Sequence, residues 1–318
     1  MSKWFFLYEE HPAAHMRARR QAVDTRISGT TSLMGLIGNP VKHSGSPQMY
    51  NYCFNYFGID CVYLAFESDV SQTKATLDAM RRLQMRGGNV TMPCKQEVAR
   101  LVDHLSPAAK LIGAVNTIVN EDGILTGHNT DGKGLVLDLK DHGISVADKK
   151  IVLLGAGGAA SAILVQCALD GARSITVFNR GAEALAHVKA IGDQAKESGI
   201  SCALSFYLTE DSSFLHDQIR DADILINATS VGMAPKSEGK SLVTDMSVFR
   251  EDLVVYDVIY NPLVTKLMSD AVSHGCRPEH VIGGKGMLLW QGYSAFQLFT
   301  GLEMPVEEYK RFLQEKEK

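Results

Sequence analysis

The chain has 318 residues, 45% of them hydrophobic and 21% charged, a balance that excludes a disordered chain and gives length enough for two domains. Its formal net charge of -4 argues against a nucleic-acid binder. The apolar run Trp4–Tyr8 is too short to cross a bilayer or to form a signal-peptide core.

Cysteines stand at 53, 61, 94, 167, 202 and 276, too far apart for a CxxC pair, and no His/Cys/Asp/Glu grouping has metal-ligand spacing. Free thiols, and a first apolar run too short for a signal-peptide core, predict a reducing, cytoplasmic setting, with no metal and no membrane partner.

Residues 1–32 read as a polar extension with some helix, Arg17, Arg19 and Arg20 forming a solvated face. From Leu33 the pattern turns regular. Leu33–Ile37 is an apolar run halted by Gly38-Asn39-Pro40, which predicts a buried strand and a turn. Ser46-Pro47 predicts an N-cap and a first-turn proline, followed at helical spacing by Met49, Tyr50, Cys53, Phe54 and Phe57, with Gly58 as the stop. Cys61–Phe66 is the next predicted strand, and Ser71 caps a helix to about Met85. A strand follows at Asn89–Thr91 and a helix from Gln96. Val115–Asn120 and Ile124–Gly127 flank Glu121-Asp122-Gly123, a hairpin signal. This alternation predicts an α/β layer with some parallel pairing.

A helix over Gly132–His142 leads to a second series. Strands are predicted at Lys150–Leu154, Ser174–Phe178, 201–206, 222–227, 253–257 and near 280–282, with a helix over Ala182–Ser198. Helices over Gly286–Thr300 and Pro305–Glu315 end the chain. In "KKIVLLGAGGAASA" (149–162) a strand, a glycine turn and a helix start follow one another, and Gly155, Gly157 and Ala160 fit G-x-G-x-x-G/A. That predicts a doubly wound, Rossmann-type dinucleotide-binding domain. The end of the next strand carries Asn179-Arg180 where an acidic residue would select NAD. Arg180 suits stacking on adenine or pairing with a 2′-phosphate, but Glu183 is near, so NAD and NADP both stay open.

Ligands of open α/β domains bind outside the carboxyl ends of strands. "GNPVKHSGSPQ" (38–48), "GNVTMPCKQ" (88–96), "GAVNTI" (113–118) and "GHNTDGKG" (127–134) place Ser44, Ser46, Thr91, Lys95, Asn116 and Asp131 at such ends. Hydroxyls and an amide suit ring alcohols, while a lysine and an aspartate suit proton movement. His43 is read as a loop support.

These segments, with the glycine turn, "INATSVGM" (226–233), "VYDVIYNPLVTKL" (255–267) and "GGKGMLLWQG" (283–292), resemble the ordered motifs of the shikimate dehydrogenase family over about residues 33–302. The length and the run "SPAAKLIGAVNTIVNEDG" resemble its quinate/shikimate branch. The resemblance implies an NAD(P)-dependent oxidoreductase that interconverts shikimate, and quinate with it, with the corresponding ring ketones. It makes Lys95 and Asp131 the catalytic acid–base pair. It gives Ser44 and Ser46 to the substrate carboxylate, Thr91, Asn116 and Gln291 to ring hydroxyls, and Tyr260 to the junction of substrate and nicotinamide. Gly155, Ala156, Gly157, Gly158, Ala159, Asn179, Arg180, Thr229, Gly284 and Met287 fall on the cofactor side.

The expected architecture is a substrate domain of residues 1–130 and 284–318 around a cofactor domain of 131–283, with a cleft between them. A homodimer is in keeping with the branch. The alternative is a catalytically idle regulator of the same fold that senses shikimate or quinate.

Overall fold

A computed structural model describes residues 27–209 and 212–316 of the chain. The expectations for Trp4–Tyr8 and for the arginines at 17, 19 and 20 lie outside the described residues. The first series comprises β1 (Ser32–Gly38), α1 (Ser46–Phe57), β2 (Cys61–Glu67), a 3-10 turn at Val70–Gln72, α2 (Thr73–Arg82), β3 (Gly87–Val90), α3 (Lys95–Leu101), β4 (His104–Leu105), α4 (Pro107–Ile112), β5 (Thr117–Glu121) and β6 (Ile124–His128). After α5 (Asp131–Asp141) come β7 (Lys150–Leu154), α6 (Gly158–Leu169), β8 (Ser174–Asn179), α7 (Ala182–Glu197), β9 (Ala203–Leu208), α8 (Ser212–Asp221), β10 (Ile224–Asn227), β11 (Val254–Asp257), α9 (Lys266–Ser273) and β12 (Val281–Gly283). The last helices are α10 (Lys285–Thr300) and α11 (Val306–Lys316).

The first sheet has the order β2-β1-β3-β5-β6-β4 and is mixed. β5 runs antiparallel to both β3 and β6, and the other pairs are parallel. The second sheet, β12-β11-β10-β7-β8-β9, is parallel throughout. Counted from β7, that is the doubly wound order 3-2-1-4-5-6, with its reversal between β7 and β10. Such a sheet is covered on both faces, so its strands read as unbroken apolar runs. In β7, Ile151 and Leu153 enter one buried cluster while Val152 and Leu154 enter the other.

Two predicted caps are corrected. Gly45, not Ser46, caps α1, with the proline in the first turn as expected, and the cap residue itself has no side chain to bond the helix start. Asp69, not Ser71, caps the 3-10 turn that opens α2, in a reciprocal box with Gln72, and α2 ends at Arg82. Both short oxygen-bearing residues had competitors one or two positions upstream.

α10 and α11 return from the second sheet to the first. Phe296 and Phe299 join Tyr50, Phe54 and Met34 in one core, and Tyr309 packs its ring 5.4 Å from that of Tyr52. α10 also lies against α5, and Gly134 makes that approach close. A Cβ on Gly134 would stand 2.7 Å from the Met287 carbonyl oxygen and 2.8 Å from Gln291 Cβ. Gly134→Val is therefore expected to destabilise the fold by about 1–3 kcal/mol through overpacking. Urea unfolding checks this, and an unchanged midpoint would contradict it.

Candidate active site

Sheet topology gathers the polar residues. Because β5 is antiparallel to β3, the residue entering β5 lies at the edge where β1, β3 and β6 end. Asn116 enters β5 there, Thr91 leaves β3, Lys95 opens α3 and Asp131 opens α5. Backbone bonds fix the register: Val90 N–H donates to the Asn116 carbonyl and Thr91 N–H to that of Ile37, each at 2.8 Å, and Val115 N–H donates to the Lys95 carbonyl at 2.9 Å.

Lys95 Nζ donates to Asp131 Oδ2 at 2.6 Å. The other carboxylate oxygen accepts from Asn116 Nδ2 at 2.7 Å. That amide also donates to Thr130 Oγ1 at 2.9 Å, and Gln291 Oε1 on α10 approaches the same nitrogen at 3.4 Å. Asn116 Oδ1 accepts from Thr130 N–H and the Thr117 hydroxyl, each at 2.9 Å. Asn116 is buried, so these bonds fix its orientation and, through it, that of Asp131. Lys95 and Asp131 keep 28% and 18% of their side-chain surface, which leaves the pair reachable from solvent.

The structure thus brings together four predicted residues: Lys95, Asp131, Asn116 and Gln291. Ser44 and Ser46 stand half-buried where β1 leads into α1, and Ser44 Oγ accepts from Ser46 N–H at 3.2 Å. Tyr260, on the loop after β11, is 47% exposed. Among the described residues, the side chains of Ser44, Ser46, Thr91 and Tyr260 make no hydrogen bond to the four-residue group.

The glycine turn builds the second half. Gly155 has φ +113°, and a Cβ there would meet the Ala228 carbonyl oxygen at 2.8 Å, so only glycine suits the position. A Cβ on Gly157 or Gly158 would meet nothing within 4 Å, which leaves room for a pyrophosphate. α6 starts there with no side-chain cap, so its first N–H groups and positive dipole end face that space. Ala159 is half-buried, and Ala160 is fully buried between helix and sheet. A groove of about 260 Å³ runs past Gly155, Ala156, Gly157, Asn179, Arg180 and Thr229. These residues fit a dinucleotide. Gly284 and Met287 lie outside the groove, at the start of α10.

Several residues that shape the groove were missed from sequence. Thr209 lines it after β9, and its buried hydroxyl has no hydrogen-bond partner among the described residues. Asn227 Oδ1 accepts from the Thr229 N–H and hydroxyl, and Asn227 Nδ2 donates to Asp257 Oδ1 at 3.0 Å. Asp257 also accepts from Ile259 N–H and the Thr265 hydroxyl, so it shapes the loop that carries Tyr260. Burial pushes its carboxyl up, against these hydrogen bonds. The signals were "INATS" and "VYDV", whose Asn and Asp stand at the last residues of adjacent strands. Among the described residues no helix is long and apolar enough to cross a membrane.

The chain is similar to known proteins in sequence and in fold. A family model described as the shikimate dehydrogenase substrate binding domain matches residues 36–118, and one described as the shikimate 5′-dehydrogenase C-terminal domain matches 284–310. A shikimate dehydrogenase (NADP(+)) of Listeria monocytogenes is 43% identical over 291 residues, 92% of this chain and 98% of the relative. The solved structure of shikimate 5-dehydrogenase from Listeria monocytogenes with shikimate and NAD superposes with a TM-score of 0.85 at 43% identity, over 91% of this chain and 98% of that one. Quinate dehydrogenase from Corynebacterium glutamicum with NAD gives 0.78 at 32% identity, over 89% and 99%.

Asn116→Leu keeps the volume but strips Thr130 N–H and the Asp131 carboxylate of a buried partner. It is expected to cost about 1–3 kcal/mol of stability, read from urea unfolding. A variant as stable as the parent would contradict the anchoring role.

Proposed function

This chain belongs to the shikimate dehydrogenase family, and on that footing we propose that it oxidises shikimate to 3-dehydroshikimate reversibly with NADP+, and accepts quinate as a poorer substrate. The observation that carries the reading is the 2.6 Å contact of Lys95 with Asp131 at the strand-end edge shared with Ser44, Ser46 and Thr91. A dinucleotide held by the glycine turn would supply or accept hydride through its nicotinamide ring.

The protein's part is proton movement and orientation. For ketone reduction the Lys95 ammonium donates a proton to the forming alkoxide, a contribution of about 10²–10⁴-fold for a positioned acid. Asp131 aims the amine, and Asn116 holds Asp131 by its other oxygen. Ser44 and Ser46 receive the substrate carboxylate, while Thr91, Asn116 and Gln291 read the ring hydroxyls. Tyr260 closes the junction with the nicotinamide. Residues 1–130 and 284–318 form the substrate half, and 131–283 the cofactor half. Quinate differs by a water added across the ring double bond, which saturates the ring and adds one hydroxyl, and pockets reject an added hydroxyl weakly.

Two facts support NADP+. The curated relative acts with NADP(+), and Arg180, exposed at the rim of the groove, pairs with no carboxylate among the described residues. An exposed guanidinium beside an uncharged Asn179 suits a 2′-phosphate.

Steady-state kinetics with shikimate and quinate, each against NAD+ and NADP+, test the proposal. The fastest pair is expected to be shikimate with NADP+, and no turnover of shikimate with either nucleotide would overturn it. Lys95→Ala should lower kcat by about 10²–10⁴-fold while NADP+ still binds, as read by fluorescence titration. Arg180→Ala should raise the KM for NADP+ by about tenfold and leave that for NAD+ nearly unchanged; equal effects on both would refute the phosphate contact.

A further inference from the structure

One buried tyrosine ties together the two helices that carry the site. Tyr256, on β11 of the second sheet, is fully buried. Its hydroxyl donates to Asp138 Oδ2 on α5 at 2.6 Å, and the backbone N–H of Met287 in the first turn of α10 lies near enough to its oxygen to favour the charged phenolate. That N–H is one of the four a helix start leaves without an internal partner. Asp138 lies seven residues after Asp131, two turns along α5 on nearly the same face and about 10 Å away. Met287 lies one turn before Gln291.

The surroundings are built for this contact. A Cβ on Gly286 would stand 2.0 Å from Asp138 Oδ1, so only glycine lets the α10 backbone approach the carboxylate. His142 Nδ1 stands 3.8 Å from Asp138 Oδ1, and Asp141 and Lys310 act on it from further away. Burial pushes the Asp138 carboxyl and the Tyr256 phenol up. A buried carboxylate and phenol are costly unless bonded, and the proton transfer uses neither.

We infer that Tyr256 and Asp138 are positioning residues: their hydrogen bond sets the depth and angle at which Asp131, and through it the Lys95 amine, stands over the cofactor sheet. The inference rests on the dehydrogenase reading above. α5 starts at the Lys95–Asp131 pair and is fastened to the second sheet two turns later. A misplacement of about 1 Å costs on the order of 10²-fold in rate. Loosening this bond is therefore read in kcat, while the groove and the strand-end hydroxyls that bind the ligands stay in place.

The test compares the parent with Tyr256→Phe, Asp138→Asn and the pair Tyr256→Phe/Asp138→Leu. Tyr256→Phe is expected to lower kcat by about 10–100-fold with the KM for shikimate and the Kd of NADP+ within about threefold. Asp138→Asn keeps a carbonyl acceptor for the phenol and should retain at least about a third of kcat. The Phe/Leu pair replaces both polar partners by apolar ones and should regain thermal stability without regaining kcat. Tyr256→Phe within threefold of the parent would overturn the inference, as would a Phe/Leu pair that regains stability and kcat together. If the parent itself fails to oxidise shikimate, the dehydrogenase reading falls, and amide exchange then decides the tie alone. Faster exchange over 131–141 and 285–291 in Tyr256→Phe, with β7–β9 unchanged, upholds it, and unchanged exchange refutes it.

Discussion

An amine and a carboxylate 2.6 Å apart, each on the first residue of its own helix, set the terms for the rest of the molecule. Asp131 at the start of α5 has the helix dipole in its favour, whereas Lys95 at the start of α3 has it against. The lysine is therefore held by the carboxylate and not by its helix. A carboxylate bonded on both oxygens has one orientation, and Asn116 gives it that orientation through a buried amide whose own bonds are filled. The chain builds this at a sheet edge because the antiparallel β5 places the residue that leads into it, Asn116, where three other strands deliver their last.

The second sheet supplies an open floor. Gly155 turns the chain away from β7, and the space above Gly157 and Gly158 is left for a ligand's backbone-level approach. Asn227 and Asp257, at the ends of neighbouring parallel strands, bond each other and shape the loops that bear Thr229 and Tyr260. α5 and α10 join the two sheets, and glycines at 134 and 286 let them lie close against each other. In the proposed mechanism, precision at the Lys95–Asp131 pair depends on packing two helical turns away from it.

Most of the frame could be read from the residues. The glycine turn between an apolar run and a helix identified the cofactor sheet, and the hairpin at Glu121-Asp122-Gly123 identified the antiparallel pair. Lys95, Asp131, Asn116 and Gln291 were named and do meet. What escaped depends on distant partners. β4 is two residues long and α9 begins behind Asn261-Pro262, where Thr265 caps it, so neither announces itself as a periodic run. Asp138 in mid-helix looks like a solvated carboxylate until Tyr256 is brought to it from 118 residues away. The pairing of β3 with β5 is likewise invisible in local pattern, because strand direction is set by tertiary contacts.

A crystal structure of the protein with shikimate and NADP+ bound tests the central claim most directly. The account predicts the ring hydroxyl that is oxidised within about 3 Å of Lys95 Nζ, with its carbon facing C4 of a nicotinamide whose pyrophosphate lies over Gly157 and Gly158. A ring seated elsewhere, or an amine turned away from that hydroxyl with a water or another side chain in its place, would contradict it.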